Sequence, residues 1–210
     1  GYFQGYIGQQ EYTKACTLRI ITQEGKYIEY TNVAFGELFL GGGQSNMGWQ
    51  MSQCFNKDGS LLYQNIINAS KNDDIHIFKH PAYASDKADD AIGGEWTTAT
   101  PGSVTGMSAA AYFFVREMYD LYQVPVGIIT ACMGGIGMNQ WMPEEQVQEM
   151  IKAGYMTSDA SITDPTKKHS AYYNGTVYPL HRMTVRGVIW YQGEGDHVNY
   201  AERFCAMITG

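Results

Sequence analysis

The residues best suited to chemistry lie in three glycine-rich segments: Gly43-Gln-Ser-Asn46, Ala131-Cys-Met-Gly-Gly-Ile-Gly137 and Tyr191-Gln-Gly-Glu-Gly-Asp196. Ahead of the first, Leu38, Phe39 and Leu40 form a short apolar run bounded by glycines, as in an interior strand. Gly41, Gly42 and Gly43 permit backbone angles or close approaches that a Cβ forbids. The segment reads as a buried strand entering a glycine turn that presents Ser45 at the strand's carboxyl end, where a serine nucleophile would sit. It reads equally as a Gly-rich loop with an incidental serine, so the other two segments decide. Attack on an ester carbonyl needs donors waiting where the oxygen becomes negative, and removing one typically costs ~10²–10³ in rate. The N–H of Ser45, an N–H of Gly134 or Gly135, and the carboxamide of Gln192 are the candidates. The two glycines also suit a tight strand-to-helix turn, and Gln192 suits a side chain that satisfies nearby backbone.

Positioning these segments requires a sheet. Between residues 12 and 35 apolar and polar residues alternate around Glu24-Gly25, which predicts a β-hairpin. An isolated hairpin is marginal in water, so this one is expected to be the trailing edge of a β-sandwich module over 1–34, preceding a main domain over 35–210. In the main domain, short apolar runs at Ile75-His-Ile-Phe78, Val126-Gly-Ile-Ile-Thr130 and Val185-Arg-Gly-Val-Ile-Trp190 predict strands. Helical spacing over 108–122, a Pro143-Glu-Glu start and the stretch 197–208 predict helices between and after them. Strands separated by helices imply α/β architecture, a mostly parallel sheet covered on both faces. Ligands in such sheets gather at the carboxyl ends of the strands, where all three segments fall.

The bulk composition narrows the function. With 210 residues, 44% hydrophobic and 17% charged, the chain can bury a sizeable core. A net charge of -7 argues against nucleic acid or an anionic membrane as partner. No apolar run approaches the ~18 residues of a membrane span. Cys16, Cys54, Cys132 and Cys205 are irregularly spaced and match no zinc or redox motif. A phosphate loop with its lysine is also lacking, so a nucleotide site is not expected.

The blocks Gly43-Gln-Ser-Asn-Met47, Val124-Pro-Val-Gly-Ile-Ile129 with Gly134, Gly135 and Trp141-Met-Pro143, and Tyr173-Asn-Gly175 with Arg186-Gly-Val-Ile-Trp-Tyr-Gln-Gly-Glu194, resemble the sialate O-acetylesterase family of SGNH hydrolases. The resemblance runs from about residue 35 to the C-terminus. It implies a flavodoxin-like three-layer α/β/α domain, with the hairpin as the end of an N-terminal β-sandwich. It also implies removal of acetyl groups from O-acetylated carbohydrates, sialic acid or plant polysaccharide among them, without a cofactor and in an extracellular, periplasmic or lysosomal setting. By position it makes Ser45 the nucleophile and Gln44, Asn46 and Glu194 supporting polar residues. Where the family ends its third block in Ser-Asn, this chain has Gly195-Asp196, which alters the local hydrogen bonding. A catalytically inactive carbohydrate-binding module of the same fold is the alternative.

Serine is a weak nucleophile and needs a base. The family's His and its Asp partner come from a D-x-x-H segment well downstream of the third block, and none follows that block here. The resemblance therefore implies an N-terminal fragment, with the missing segment supplied further along the chain or by another chain. Of the local histidines, His76 and His80 belong to a strand and its exit, His169 to a polar stretch, and His181 to the opposite end of the third strand. His197, beside Asp196, is the alternative base. Trp190 reads as core, while Trp49, Trp141 and Tyr191 suit either core or a sugar face.

Overall fold

The computed structural model describes residues 5–196 and residue 205. Alternation in the first segment yields an antiparallel hairpin of β1 (Thr13–Ile21) and β2 (Tyr27–Phe35), closed where Thr22 N–H donates to Lys26 O at 2.7 Å. Tyr12 OH donates to Glu37 at 2.8 Å and Lys14 pairs with Asp74, tying the hairpin to the main domain.

That domain is built on a second sheet of five strands: β3 (Glu37–Gly43), β4 (Asn72–Lys79), β5 (Trp96–Ala99), β6 (Val126–Cys132) and β7 (Gly187–Tyr191). Their spatial order is β5-β4-β6-β3-β7. The last four in that order are parallel, and β5 is an antiparallel edge. Short helices α1 (Ser45–Gly48) and α2 (Gln64–Asn68) connect β3 to β4, α3 (Pro101–Thr105) and α4 (Ala109–Tyr122) connect β5 to β6, and α5 (Glu144–Lys152) lies between β6 and β7.

Side chains alternate across a strand, so each apolar run feeds two cores. Phe39, Ile77 and Ile128 pack with Ala111, Tyr112 and Val115 of α4. Their neighbours Leu38, Leu40, Phe78 and Ile129 cluster instead with Leu180. Beside this second set, Val147 and Met150 of α5 close over Met138, Trp141 and Tyr172, with Trp190 packed against them. Helix ends follow local chemistry: Ser108 Oγ accepts Ala111 N–H at 3.1 Å to start α4, and α5 carries Glu144 and Glu145 in its first turn and Lys152 in its last. The result is the three-layer α/β/α arrangement with a mostly parallel sheet.

Three expectations change. Gly41, Gly42 and Gly43 are strand, not turn, because each is paired on both sides, by β6 and by β7. Ala131 and Cys132 likewise extend β6, and the third predicted strand begins at Gly187 rather than Val185. The expected helix over 197–208 lies outside the described residues, apart from residue 205.

Candidate active site

Register brings the three glycine-rich segments together. Gly43, at the end of β3, pairs with Cys132 at the end of β6 and with Tyr191 at the end of β7. Neighbouring strands lie about 4.8 Å apart, so the three loops leave the sheet side by side. Gly43 O accepts Met133 N–H at 3.0 Å, and Gln44 N–H donates to Tyr191 O at 3.0 Å. Only glycine fits at 43: its φ is 138°, and a Cβ there would stand 2.0 Å from Tyr191 O.

Beyond Gly43 the chain sends one side chain inward and the next outward. Gln44 is 2% exposed, and its Oε1 accepts the N–H groups of Gly193 at 3.1 Å and Gly195 at 3.0 Å. Ser45 follows as the first residue of α1 and is exposed. Its helix is held from below by buried Met47, whose carbonyl accepts from Ser108 Oγ. Gln44→Ala removes the acceptor for two N–H groups in the β7 loop. Since an orphaned buried donor costs ~1–3 kcal/mol, urea denaturation is expected to show a loss of roughly 2–4 kcal/mol. A loss under about 0.5 kcal/mol would contradict this role.

The β6 loop flanks the serine. A Cβ on Gly134 would stand 3.5 Å from Ser45 Cβ, whereas one on Gly135 would meet nothing within 4 Å. Among the described residues, neither the Ser45 N–H nor the Gly134 N–H is engaged in a hydrogen bond, and the Ser45 hydroxyl is equally unengaged. Gln192 is tied to this loop. Its Nε2 donates to Ile136 O at 3.3 Å and to the Asp196 carboxylate, so serving as an oxyanion donor requires it to leave one of them. Asn46 Nδ2 donates to Glu194 Oε1 at the exposed rim, linking α1 to the β7 loop.

Other candidate groups have other roles. Burial pushes the Cys132 thiol up to about 11, so it is protonated and unreactive at neutral pH. His80 is 2% exposed, with Nδ1 3.1 Å from Gly93 O. His169, from the polar stretch, has Nδ1 2.8 Å from Asn139 Nδ2 and Nε2 2.9 Å from Thr157 O, and so braces two loops. His76 lies on β4, where burial lowers its pKa below 6.5, and His181 contacts Tyr178 in an exposed turn. His197 lies outside the described residues. Trp141 and Trp190 pack edge-to-face at 5.4 Å in the core, while Trp49 and Tyr191 are each about half exposed. Among the described residues, no three His, Cys, Asp or Glu side chains are grouped to hold a metal.

Among the described residues, two clefts are prominent. One of about 480 Å³ lies at the carboxyl ends of β4 and β6, reaches Gly48 of α1, and is lined by Gln50, Lys79, His80, Thr130 and Cys132. The other, about 520 Å³, lies between β2 and the amino ends of the strands, remote from Ser45. The first adjoins the helix that carries the serine. Sequence reasoning missed Gln44's buried bonds and Asp196's role, because both depend on loops 149 and 58 residues apart meeting in space.

Comparison with known proteins bears on the family and the fold. The family described as carbohydrate esterase, sialic acid-specific acetylesterase, matches residues 36–209. Sialate O-acetylesterase of Homo sapiens is 33% identical over 179 residues, covering 80% of this chain and 33% of the human protein. Its Mus musculus counterpart is 30% identical over 200 residues, covering 79% and 36%. The chain thus spans about a third of the length of the curated relatives it matches. The crystal structure of a carbohydrate acetylesterase from Xanthomonas citri superposes with a TM-score of 0.75 at 30% identity, covering 92% of this chain and 42% of that one.

Proposed function

The chain belongs to the sialic acid-specific acetylesterase family of carbohydrate esterases, and on that premise we propose that it removes acetyl groups from O-acetylated sugars through an acetyl-Ser45 intermediate. The observation that carries this reading is an exposed, unengaged serine hydroxyl at the end of β3, set beside Gly134. Ser45 Oγ attacks the acetyl carbonyl while a general base takes its proton. The negative oxygen of the tetrahedral intermediate is held by the N–H groups of Ser45 and Gly134, with Gly135 as a further donor and Gln192 as another once it leaves one of its two acceptors. Collapse expels the sugar hydroxylate, which takes the proton back from the base. Water, activated by the same base, then attacks the acetyl group and releases acetate and free Ser45.

Gln44, Asn46 and Glu194 hold the loops that frame this chemistry. The base is assigned to the family's Asp-x-x-His segment, with His197 as the alternative. Trp49, half exposed just past α1, is offered to a sugar face. The hairpin, with Ile21, Tyr27, Ile28 and Tyr30 exposed, is assigned to the end of a β-sandwich module. A second reading, an inactive carbohydrate-binding module, is favoured by one observation: none of the described histidines bonds to Ser45. Acetate release separates the two. The protein expressed from its complete reading frame is expected to liberate acetate from O-acetylated sialic acid or acetylated xylan; sugar binding without acetate release would establish the inactive module instead.

A further inference from the structure

One carboxylate joins the β7 loop to the β6 loop. Asp196 accepts Met138 N–H on both its oxygens, at 3.0 Å each, and accepts from Gln192 Nε2. That nitrogen also donates to Ile136 O at 3.3 Å. Its two protons therefore face two groups that can only accept. An amide turned the other way would set its oxygen against both the Asp196 carboxylate and the Ile136 carbonyl, so these neighbours fix its orientation. Oε1 is left buried with no partner among the described residues. Gln192 is held by what its nitrogen gains, at the expense of an unsatisfied oxygen.

The neighbouring glycines are fitted to the same network. A Cβ on Gly195 would stand 3.0 Å from Gln44 Nε2 and 3.4 Å from Ile136 O, and one on Gly137 would stand 3.1 Å from Asp196 Oδ1. The Gly195-Asp196 pair, found where the family resemblance leads one to expect Ser-Asn, is thus accommodated as a unit: a small residue lets the loops close, and a carboxylate ties them.

We propose that Asp196 is a positioning residue of the esterase site. Through Met138 N–H and the Gln192 carboxamide it holds the 133–137 turn, and with it Gly134, against Ser45. It touches neither the nucleophile nor the reacting carbonyl, and while it holds Gln192 that residue braces the loops rather than donating freely to the oxyanion. The proposal rests on the reading of Ser45 as nucleophile.

A double-mutant cycle in the complete protein tests it, with p-nitrophenyl acetate as substrate. Asp196→Ala is expected to lower kcat roughly tenfold or more, because displacing a donor by about 1 Å is enough for such losses, with KM within about twofold. Combining it with Gln192→Ala is expected to cost no more than about twofold beyond the worse single variant, since the two share one bond. Asp196→Asn keeps an acceptor for Met138 N–H, is the variant least disturbing to folding, and is expected to fall between Asp196→Ala and the parent. Fully additive losses, or an unchanged kcat in Asp196→Ala, overturn the proposal. Hydrogen exchange of the Gln192 side-chain amide, followed by NMR, reads the brace without any esterase assay. Protection in the parent and its loss in Asp196→Ala support the brace, and absence of protection in the parent overturns it. A parent with protected Gln192 but no esterase activity overturns the nucleophile reading and leaves the brace standing.

Discussion

In the complete protein, Ser45→Ala is expected to reduce acetate release from an O-acetylated sugar by at least ~10³-fold, leaving only what binding and the oxyanion donors supply. Ser45 is exposed at the junction of the three loops, and its hydroxyl is free of hydrogen bonds among the described residues. Removing its oxygen takes nothing from the packing, so the melting temperature should stay within about 1–2 °C of the parent, as for surface substitutions generally. The neighbouring Cys132 cannot take over: its thiol, lifted to about 11 by burial, is protonated at pH 7. Steady-state kinetics paired with thermal unfolding check both halves. A loss below tenfold at unchanged stability would place the nucleophile elsewhere.

The second large effect is structural. Gly43→Ala puts a methyl group 2.0 Å from Tyr191 O, at a backbone φ of 138° that alanine rarely adopts. Tyr191 O is the acceptor for Gln44 N–H, so relief by moving either strand breaks the bond that fixes the serine loop. Strain and a lost strand contact together are expected to cost about 3 kcal/mol or more, and activity with it. Gly134→Ala is the control. Its added methyl would meet Ser45 Cβ at 3.5 Å, an ordinary contact, so the loss of stability is expected to stay under about 1 kcal/mol. Urea denaturation of the two variants checks the contrast; equal costs would refute the tight-approach account of Gly43.

Much of this was legible before any coordinates. The four parallel strands announced themselves as short apolar runs, because burial on both faces demands continuous hydrophobicity. Helix α4 showed its apolar spacing, and α5 its proline and paired glutamates. What escaped has physical causes. Glycine is depleted in strands generally, yet Gly41, Gly42 and Gly43 are strand because neighbours on both sides supply their hydrogen bonds. Strand β5, Trp-Thr-Thr-Ala, is four residues long and half exposed, with too short a pattern to detect. Helices α1, α2 and α3 span four or five residues, below the length at which propensity alone sustains a helix, and are set by tertiary contacts. Within the site, Ser45 was visible from its flanking strand. The buried Gln44 and the Asp196 tie were not, since nothing local reveals which backbone N–H groups a distant loop will bring.

The most direct test of the central claim is the site of covalent labelling. The complete protein, treated with a fluorophosphonate ester and digested, is expected to carry the phosphonyl group on the peptide containing Ser45. Prior incubation with an O-acetylated sugar should slow the labelling, and Ser45→Ala should abolish it. Inactivation with the label on any other residue, or with Ser45 unmodified, would contradict the assignment of Ser45 as nucleophile.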